Sequence, residues 1–419
     1  HVTLTGSLIT AIALAAGGLL AAVTAFVQPR VRWLALSVAP AAVCYLATGL
    51  VGWYVDSFVV RPNELVRETP YIEQNIAFTR RAYQLDGIES QAFPAEPGVE
   101  AADAAGNQET LRNIRLWDWR ALQDTLRQIQ AIRNYYDFTD IDIDRYEING
   151  RPTQVMLAAR ELHTDRLPEG SRGWINEKLI YTHGYGLAVN TVNDFTPEGL
   201  PTLLVKNMPL ESSVPALNVT RPEIYYGELT DSDVYVKTKQ QEFNYPQGDT
   251  NSTTTYGAES GIRVGGTLRK LLVALDRGDI TTLPFSDAIT PDSRLLMRRN
   301  IRERVDALAG FLTFDPDPYI VIGDDGRLFW MMDAFTTSAT YPYARKIRLG
   351  QGRVNYVRNS VKVVIDAYTG EVNFYVFDAA DPIIARYRAL FPTLFKDASA
   401  MPTTLRRHVR YPELLLDVQ

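Results

Sequence analysis

The chain has 419 residues, which at roughly 100–200 residues per domain allows two or three folding units. It carries 43 basic and 49 acidic residues, and its net charge of -6 without a long basic block argues against nucleic acid as a partner. The average composition is that of a soluble protein, but the apolar residues are concentrated at the N-terminus.

Two long uncharged segments occupy residues 1–60. Val2–Val27 contains no ionisable side chain, and Trp33–Val55 is a second uncharged run with aromatic residues mostly near its ends. About 20 apolar residues let a helix cross the hydrocarbon core of a bilayer, so both segments are predicted to span a membrane. The alternatives are a helical hairpin buried in a soluble core and, for the first segment, a cleaved signal peptide. The single Cys44 lies in the second segment and can form no intrachain disulfide.

The link between the two segments sets the predicted topology. Gln28–Arg32 is short enough for a tight hairpin only, and its charges are Arg30 and Arg32. Because Lys and Arg are enriched in cytoplasmic loops, the link is placed inside and everything after Asp56 outside. We therefore predict a multi-pass protein of the cytoplasmic (inner) membrane with a large extracytoplasmic domain.

Residues 61–110 are predicted to form a neck helix followed by a loop. Thr69 and Pro70 suit the capping residue and the first position of that helix. Gln91–Gly106 is rich in Ala, Glu, Pro and Gly without periodicity, which indicates a loop.

Residues 111–419 mix helical and strand patterns, which predicts an α+β domain. Asp118 is predicted to cap a helix whose apolar residues recur at three- and four-residue spacing. Asp140–Ile148 and Arg151–Ala159 alternate in polarity around Asn149-Gly150, which predicts a β-hairpin with a type I′ turn.

The remaining pattern also mixes helices and strands. Helices are predicted from about Thr267 to Leu275 and from Ser293 to Leu312, the second with a solvated face of four arginines. These are Arg298, Arg299, Arg302 and Arg304. Two further hairpins are predicted, Tyr319–Ile322 with Arg327–Met332 and Val361–Ile365 with Glu371–Val376. Short strands are predicted at Lys178–Tyr181, Leu203–Val205, Ile224–Tyr226 and Asp233–Val236.

A long series of motifs in one order runs through the chain. They are Pro70–Ile72, Asn75-Ile76, Thr79-Arg80, Trp117–Trp119, Ile132-Arg133, Tyr135–Phe138, Tyr181–Gly186, Arg298–Ile301, Asp315–Tyr319, Leu328–Trp330 to Tyr341–Tyr343, and Tyr356–Phe377. With these motifs the chain resembles UPF0182, an uncharacterised family of bacterial membrane proteins, over almost its whole length.

The resemblance implies several transmembrane helices in front of a large domain outside the cytoplasmic membrane. The two segments here are then expected to be the last two of those helices, and Arg410–Gln419 to lie in the middle of the family's outer domain. Both ends of the chain are therefore expected to be truncated. Ala309-Gly310 departs from the proline-containing pair expected there. The family has no assigned activity, so the resemblance implies topology and no chemistry.

A run of alternating carboxylates is the candidate metal site. Asp140, Asp142 and Asp144 fall on one face of the first hairpin strand and could help hold Ca²⁺. An EF-hand is excluded, because Arg145 and Arg151 stand where that loop requires Gly and Glu. The alternative is a solvated acidic strand face.

His183 is the most suggestive single residue, since imidazole titrates near neutrality and a glycine follows it. Asp137, Asp140 and Glu223 are the carboxylates that could join it in catalysis. The alternative is a turn histidine with a hydrogen-bonded ring. No histidine pair for zinc, no serine-nucleophile motif and no complete phosphate-binding loop is present, so neither a nucleotide nor another cofactor is predicted.

Three functions remain open. The first is a non-enzymatic protein whose outer domain binds or scaffolds envelope components, as a homo-oligomer or with other envelope membrane proteins. The second is an extracytoplasmic hydrolase acting on envelope polymers or peptides. The third is an accessory module of a transporter, although the two spans contain no ionisable residue. An enzyme requires a pocket around His183 and carboxylates, whereas a scaffold requires an exposed apolar patch.

Overall fold

A computed structural model describes residues 2–27, 31–92, 108–248, 250–350 and 352–419. The chain forms two compact units. The first comprises the residues up to Arg81 together with Pro342–Arg345, and the second comprises Ala82–Tyr341 and Lys346–Gln419.

The first unit is helical. Helix α1 spans Val2–Val27, and helix α2 spans Val31–Tyr54. Helix α2 continues without interruption through a π-helical turn at Val55–Val60 and a 3-10 turn at Arg61–Asn63 into helix α3, Glu64–Ala82. Of the residues predicted to link the two spans, 28–30 lie outside the described residues.

Helices α1 and α2 are long and apolar enough to cross a membrane, and almost all of their described side chains are exposed. Within the described residues the two helices are therefore not packed into a core. Small residues bring the two helices together: a Cβ at Gly6 would overlap Thr48, and one at Gly17 would overlap the backbone of Ser37. Such close approach is typical of helix pairs in membranes.

The predicted start of the neck helix at Thr69 is wrong. Helix α3 begins earlier, at Glu64, because the chain is already helical before that residue, and Pro70 lies inside it. The hydroxyl of Thr69 donates to the carbonyl of Leu65 instead of capping a helix. Most of the loop predicted at 91–106 lies outside the described residues.

The second unit contains helices and mostly antiparallel sheets. Its helices are α4 (Gln108–Arg112), α5 (Trp119–Ile129), α6 (Thr267–Arg277), α7 (Ile301–Ala309), α8 (Pro382–Leu390), α9 (Thr403–Arg406) and α10 (Glu413–Val418). Its strands are β1 (Tyr136–Phe138), β2 (Asp142–Ile148), β3 (Arg151–Leu162), β4 (Gly184–Tyr185), β5 (Leu187–Phe195), β6 (Pro201–Lys206), β7 (Glu211–Ser212), β8 (Glu223–Ile224), β9 (Val234–Val236), β10 (Glu242–Gln247), β11 (Thr250–Thr254), β12 (Ile262–Arg263), β13 (Arg294–Leu296), β14 (Thr313–Phe314), β15 (Tyr319–Ile322), β16 (Leu328–Ser338), β17 (Ile347–Leu349), β18 (Gly352–Val354), β19 (Tyr356–Asp366), β20 (Val372–Val376) and β21 (Phe395–Asp397).

Two large sheets organise this unit. One has the order β1-β3-β5-β6-β7 with β2 paired to β3, and the other has the order β14-β16-β19-β20-β21 with β15 paired to β16. The pair β20–β21 is parallel, whereas the other pairs in these two sheets are antiparallel. The prediction of a mixed α+β fold with two N-terminal apolar helices and several antiparallel hairpins is confirmed.

In the second unit, the elements predicted from turn and capping residues agree with the structure. The β2–β3 hairpin is confirmed, with Asn149 and Gly150 both at positive φ as a type I′ turn requires. Asp118 caps α5 by accepting from the backbone N–H groups of Arg120 and Ala121. The hairpins β15–β16 and β19–β20 are also confirmed.

Both large sheets are buried on both faces. Along β3, Val155 and Leu157 face the main hydrophobic core, whereas Met156 and Ala158 face a second core beneath α5. In the other sheet, Trp330 of β16 packs into the main core, and Met331 packs on the opposite face. The main core therefore lies between the two sheets.

Two predicted elements are wrong. Ser293–Leu312 is the strand β13 followed by the shorter helix α7, because Leu295 and Leu296 are buried and the Asn300 side chain caps a new helix start. Lys178–Tyr181 is predicted as a strand, but Asn176–Ile180 forms a π-helical turn.

Gly370 provides a test of this packing. It lies at φ 70° in the turn after β19, where a Cβ would overlap the ring of Tyr226. Gly370→Ala should lower the free energy of unfolding by about 2–4 kcal/mol, because steric overlap adds to the strain of a left-handed backbone. Gly278→Ala is the matched control, with φ 78° and open space around it, and should cost about 1 kcal/mol. Urea unfolding of the full chain in detergent measures the free energy of unfolding of both variants. Equal losses in the two variants would contradict the close packing of Gly370 against Tyr226.

Candidate functional site

A buried guanidinium lies at the centre of the second unit. Arg299 donates to the carbonyl of Ser232 at 2.7 Å, to that of Tyr225 at 3.1 Å and to that of Thr182. Burial lowers its pKa to about 10, so Arg299 is still a cation at neutral pH. The predicted solvated arginine face is therefore wrong at Arg299, whose charge is satisfied by backbone oxygens of three chain segments.

A carboxylate completes the polar cluster around this cation. One oxygen of Glu242 accepts from the hydroxyls of Thr182 at 2.5 Å and Tyr225 at 2.7 Å, and the other accepts from the N–H of Tyr256 at 2.8 Å. Burial raises the pKa of Glu242, whereas these three donors oppose that rise. The cluster therefore joins segments that are distant in sequence.

His183 lies within this cluster and is buried. Its Nδ1 is 2.9 Å from the carbonyl oxygen of Gly184, and its ring centroid is 4.7 Å from that of Tyr225. Among the described residues its Nε2 has no hydrogen-bond partner. Burial lowers the pKa of His183 to about 4, and Arg299 adds to this effect, so the imidazole is neutral at physiological pH.

The carboxylates proposed to join His183 are placed differently from one another. Glu223 is opposite Tyr185 in the β4–β8 pair, and β4 begins directly after His183. Burial raises the pKa of Glu223. Asp137 accepts from Arg127 at 2.7 Å and is 2.8 Å from Arg166, in a separate polar cleft of about 340 Å³. The structure thus places Glu223 on the strand that pairs with β4, just after His183, and surrounds Asp137 with arginines.

The alternating aspartates of β2 are mostly buried, so the alternative of a solvated acidic face is wrong. Asp142 accepts from the N–H of Ile320 at 2.9 Å, and burial raises its pKa. Asp140 accepts from the N–H of Ile141 at 2.6 Å. In the part of the chain that the structure describes, no group of three or more His, Cys, Asp or Glu side chains is placed to hold a metal ion. Calcium binding at these positions stays a prediction.

Asp144 makes the contact that the sequence did not predict. Its Oδ2 is 2.6 Å from Nδ1 of His408, both side chains are buried, and the His408 ring centroid is 4.7 Å from that of Tyr146. His408 and Tyr146 contribute to the lining of a cleft of about 640 Å³. A carboxylate that holds Nδ1 fixes the orientation of an imidazole, which is the arrangement of a general base. The two residues are 264 positions apart, so no local motif indicates the pair.

Helix α6 carries the most unusual surface. Leu268, Leu271, Leu272 and Leu275 are 70%, 45%, 55% and 55% exposed. Their spacing places them on one face, while Ala274 is buried on the opposite face. The sequence predicts the helix, but periodicity alone does not show that its apolar face is the outer one.

The side of α6 that contacts the domain carries both apolar and charged residues, with Val273 and Ala274 packed in a small hydrophobic cluster. Lys270 donates from Nζ to the carbonyl of Ser286 at 3.0 Å, and Arg277 donates to Asp233 at 3.1 Å. The four leucines of α6 are therefore turned away from the domain.

Comparison with known proteins identifies relatives. A model described as "Uncharacterised protein family (UPF0182)" matches residues 1–419. A UPF0182 protein of Pelotomaculum thermopropionicum is 46% identical over 405 residues, covering 96% of this chain and 44% of the relative. A second from Desulforamulus reducens is 48% identical over 365 residues, covering 87% and 39%. A third, from Geobacter sp., is 50% identical over 365 residues, covering 87% and 40%. The chain spans less than half the length of these relatives, and no solved structure matches it.

The buried neutral imidazole predicts a pH dependence of stability. Since the pKa of His183 falls from 6.5 to about 4 on folding, the unfolded chain binds the proton first. The contribution of His183 is fully present above pH 6.5 and is lost as the pH falls toward 4, by roughly 3 kcal/mol in total. His183→Gln should remove this part of the slope in urea unfolding measured between pH 6.5 and 4. His163→Gln controls for the loss of a histidine as such, and an unchanged slope in His183→Gln would contradict the burial.

Proposed function

Because the chain belongs to the uncharacterised protein family UPF0182, whose relatives carry names that state no activity, we propose its function from its own geometry. The protein is anchored in the cytoplasmic membrane by α1 and α2, and its α+β domain lies outside the cytoplasm. There the domain binds other components of the envelope and holds them in place.

Membrane anchoring is supported by the surface of the two helices. Their exposed side chains include Leu4, Leu19, Val43 and Leu46, which cost free energy in water and none in hydrocarbon. No ionisable residue occurs in either span, and Arg30 and Arg32 are the only charges of the link between them. By the positive-inside rule this pair favours a cytoplasmic link and an external domain.

Binding is supported by the outward leucine face of α6. A folded domain gains stability by burying apolar surface, yet here four leucines of one helix face outward while smaller apolar and charged side chains contact the domain. This single observation favours a binding protein over an enzyme that uses His183 as its catalytic residue, because the His183 ring is buried. Assembly as a homo-oligomer or with other envelope membrane proteins is part of the proposal. The uncharged segments Val2–Val27 and Trp33–Val55 give no support to a transport role, since neither contains an Asp, Glu, Lys, Arg or His side chain.

Topology can be tested with single cysteines in a Cys44→Ser background. Glu198→Cys places a thiol at an exposed position of the domain, whereas Gln28→Cys places one in the link and keeps both arginines. In cells whose cytoplasmic membrane is intact, a membrane-impermeant maleimide should label Glu198→Cys and should label Gln28→Cys only after permeabilisation. The reverse pattern would contradict the external location of the domain.

A hydrolase is the second candidate, and the His408–Asp144 pair favours it. The pair combines an imidazole with an orienting carboxylate at a cleft large enough for a peptide or a sugar unit. In this candidate His408 would act as a general base on water, and Asp144 would hold its tautomer. His183 has no part in this form of the hydrolase hypothesis.

The hydrolase candidate can be tested with the purified full chain in detergent. Isolated cell-wall polymer and a peptide library serve as substrates, with product release followed by mass spectrometry. Asp144→Asn and His408→Gln should each lower the rate about 100-fold or more, whereas the exposed Asp194→Asn should not. Thermal unfolding checks that each variant is folded. The absence of turnover by the unmodified chain on both substrates would exclude this candidate.

A further inference from the structure

The polar cleft around Asp137 contains more positive than negative charge. Its volume is about 340 Å³, and the charged residues of its lining are Arg127, Arg133, Arg166 and Asp137. Among the described residues of the lining, three guanidinium groups thus accompany one carboxylate. We call this site the Asp137 cleft. The functions proposed above do not use its excess of positive charge.

Arg127 and Asp137 neutralise one another. Arg127 donates from Nε to Oδ1 of the buried Asp137 at 2.7 Å and from Nη2 to the carbonyl of Phe138 at 3.1 Å. Arg127 also lies in the last turn of α5, where its charge offsets the negative end of the helix dipole. One of the three positive charges is therefore committed to the fold of the domain.

Arg166 keeps most of its hydrogen-bond donors available. It ends the 3-10 turn Thr164–Arg166, its side chain is 48% exposed, and its Nη1 is 2.8 Å from Oδ2 of Asp137. A guanidinium carries five N–H groups in a planar fork, and the described residues offer this one no second ion-pair partner. Asp137 therefore fixes the position of the Arg166 guanidinium without using up its donors.

Arg133 contributes a charge that no carboxylate compensates. It is exposed and makes no ion pair within the described part of the chain. Burial and the neighbouring Tyr181 raise the pKa of Tyr135 to about 12, whereas the charge of Arg133 opposes that rise. The Arg133 guanidinium thus lies beside a phenol that is neutral at physiological pH.

The backbone of the lining is strained at one residue. Ile132 has φ 64°, and across it the N–H of Arg133 donates to the carbonyl of Ala131 at 2.7 Å. A left-handed conformation is rare for a β-branched residue, and such conformations concentrate at ligand sites. The turn at Ile132 keeps both Ala131 and Arg133 on the lining of the cleft.

We propose that the Asp137 cleft binds a phosphate group. Three arginines and one aspartate leave two positive charges uncompensated, and a phosphate monoester carries about -1.5 to -2 charges at pH 7. Its three terminal oxygens can accept from guanidinium groups of separate chain segments, such as Arg133 and Arg166, whereas a carboxylate has only two oxygens. A volume of about 340 Å³ is at the lower end for ligand sites and suits a phosphate ion or a small phosphate ester.

This inference rests on the proposed function only for the origin of the ligand. If the domain binds envelope components, the cleft assigns to one of them a phosphate group. The binding itself is a property of the Asp137 cleft and does not depend on the side of the membrane on which the domain lies.

Isothermal titration calorimetry of the purified full chain in detergent tests the site. The probes are inorganic phosphate, glycerol 1-phosphate and acetate, and we expect both phosphates to bind at least tenfold more tightly than acetate. Arg133→Gln and Arg166→Gln should each lower the affinity for phosphate about tenfold, because each removes a charge-assisted hydrogen bond. Arg120→Gln is the matched control, since it removes the same charge from an exposed position of α5 outside the cleft and should leave the affinity unchanged.

Three outcomes would overturn the proposal. An unchanged affinity in both Arg133→Gln and Arg166→Gln would show that phosphate does not bind in the cleft. An equal loss in Arg120→Gln would indicate unspecific attraction by net charge. Acetate that binds as tightly as phosphate would exclude phosphate as the ligand class. Thermal unfolding without a probe confirms that each variant is folded.

The two phosphate probes distinguish the sources of the ligand. Tighter binding of glycerol 1-phosphate than of inorganic phosphate would assign the cleft to a phosphate ester, and the reverse order would assign it to the free ion. Either order supports a phosphate site. Because soluble probes reach the cleft in detergent on any side of the membrane, a failure here leaves the outcome of the maleimide test unaffected.

Discussion

The α+β domain depends on one buried cation. The Arg299 guanidinium binds backbone oxygens of Thr182, Tyr225 and Ser232, and so ties the segments next to the β4–β8 pair to the loop before β9. Each buried carbonyl left without its donor would cost about 1–3 kcal/mol of stability. Because one side chain supplies all three donors, loss of Arg299 would remove the three hydrogen bonds at once. Burial keeps the neighbouring His183 imidazole neutral, and the positive charge of Arg299 adds to this effect.

The sequence predicts those parts of the fold that are determined locally. The Asn149-Gly150 turn and the Asp118 cap are properties of a few adjacent residues, and both are confirmed. Contacts over long sequence separations were not predictable, because no spacing rule indicates that Asp144 lies against His408 or that Arg299 is buried. In α6 the helical period is correct, but the period does not say which face is turned inward. The inward side combines the packing of Val273 and Ala274 with the hydrogen bonds of Lys270 and Arg277.

The domain separates buried polar chemistry from exposed apolar surface. Around Arg299 the charges and hydroxyls form a closed network, in which His183 and Glu242 serve the packing of distant segments. The His408 imidazole, which Asp144 orients, instead contributes to the lining of a cleft. On α6 the leucines face away from the domain altogether. The surface of the described domain therefore carries an exposed leucine face and a cleft, whereas His183, the most suggestive residue of the sequence, belongs to the core.

The π-helical turn at Val55–Val60 has a consequence for the long helix that contains it. A π turn accommodates an additional residue, and one residue corresponds to about 100° of rotation around a helix axis. The turn therefore sets the azimuth of every side chain that follows it relative to those of α2, including the exposed Ile72 and Ile76. Removing a single residue there would keep the segment helical but would rotate the side chains of α3 about the helix axis relative to those of α2.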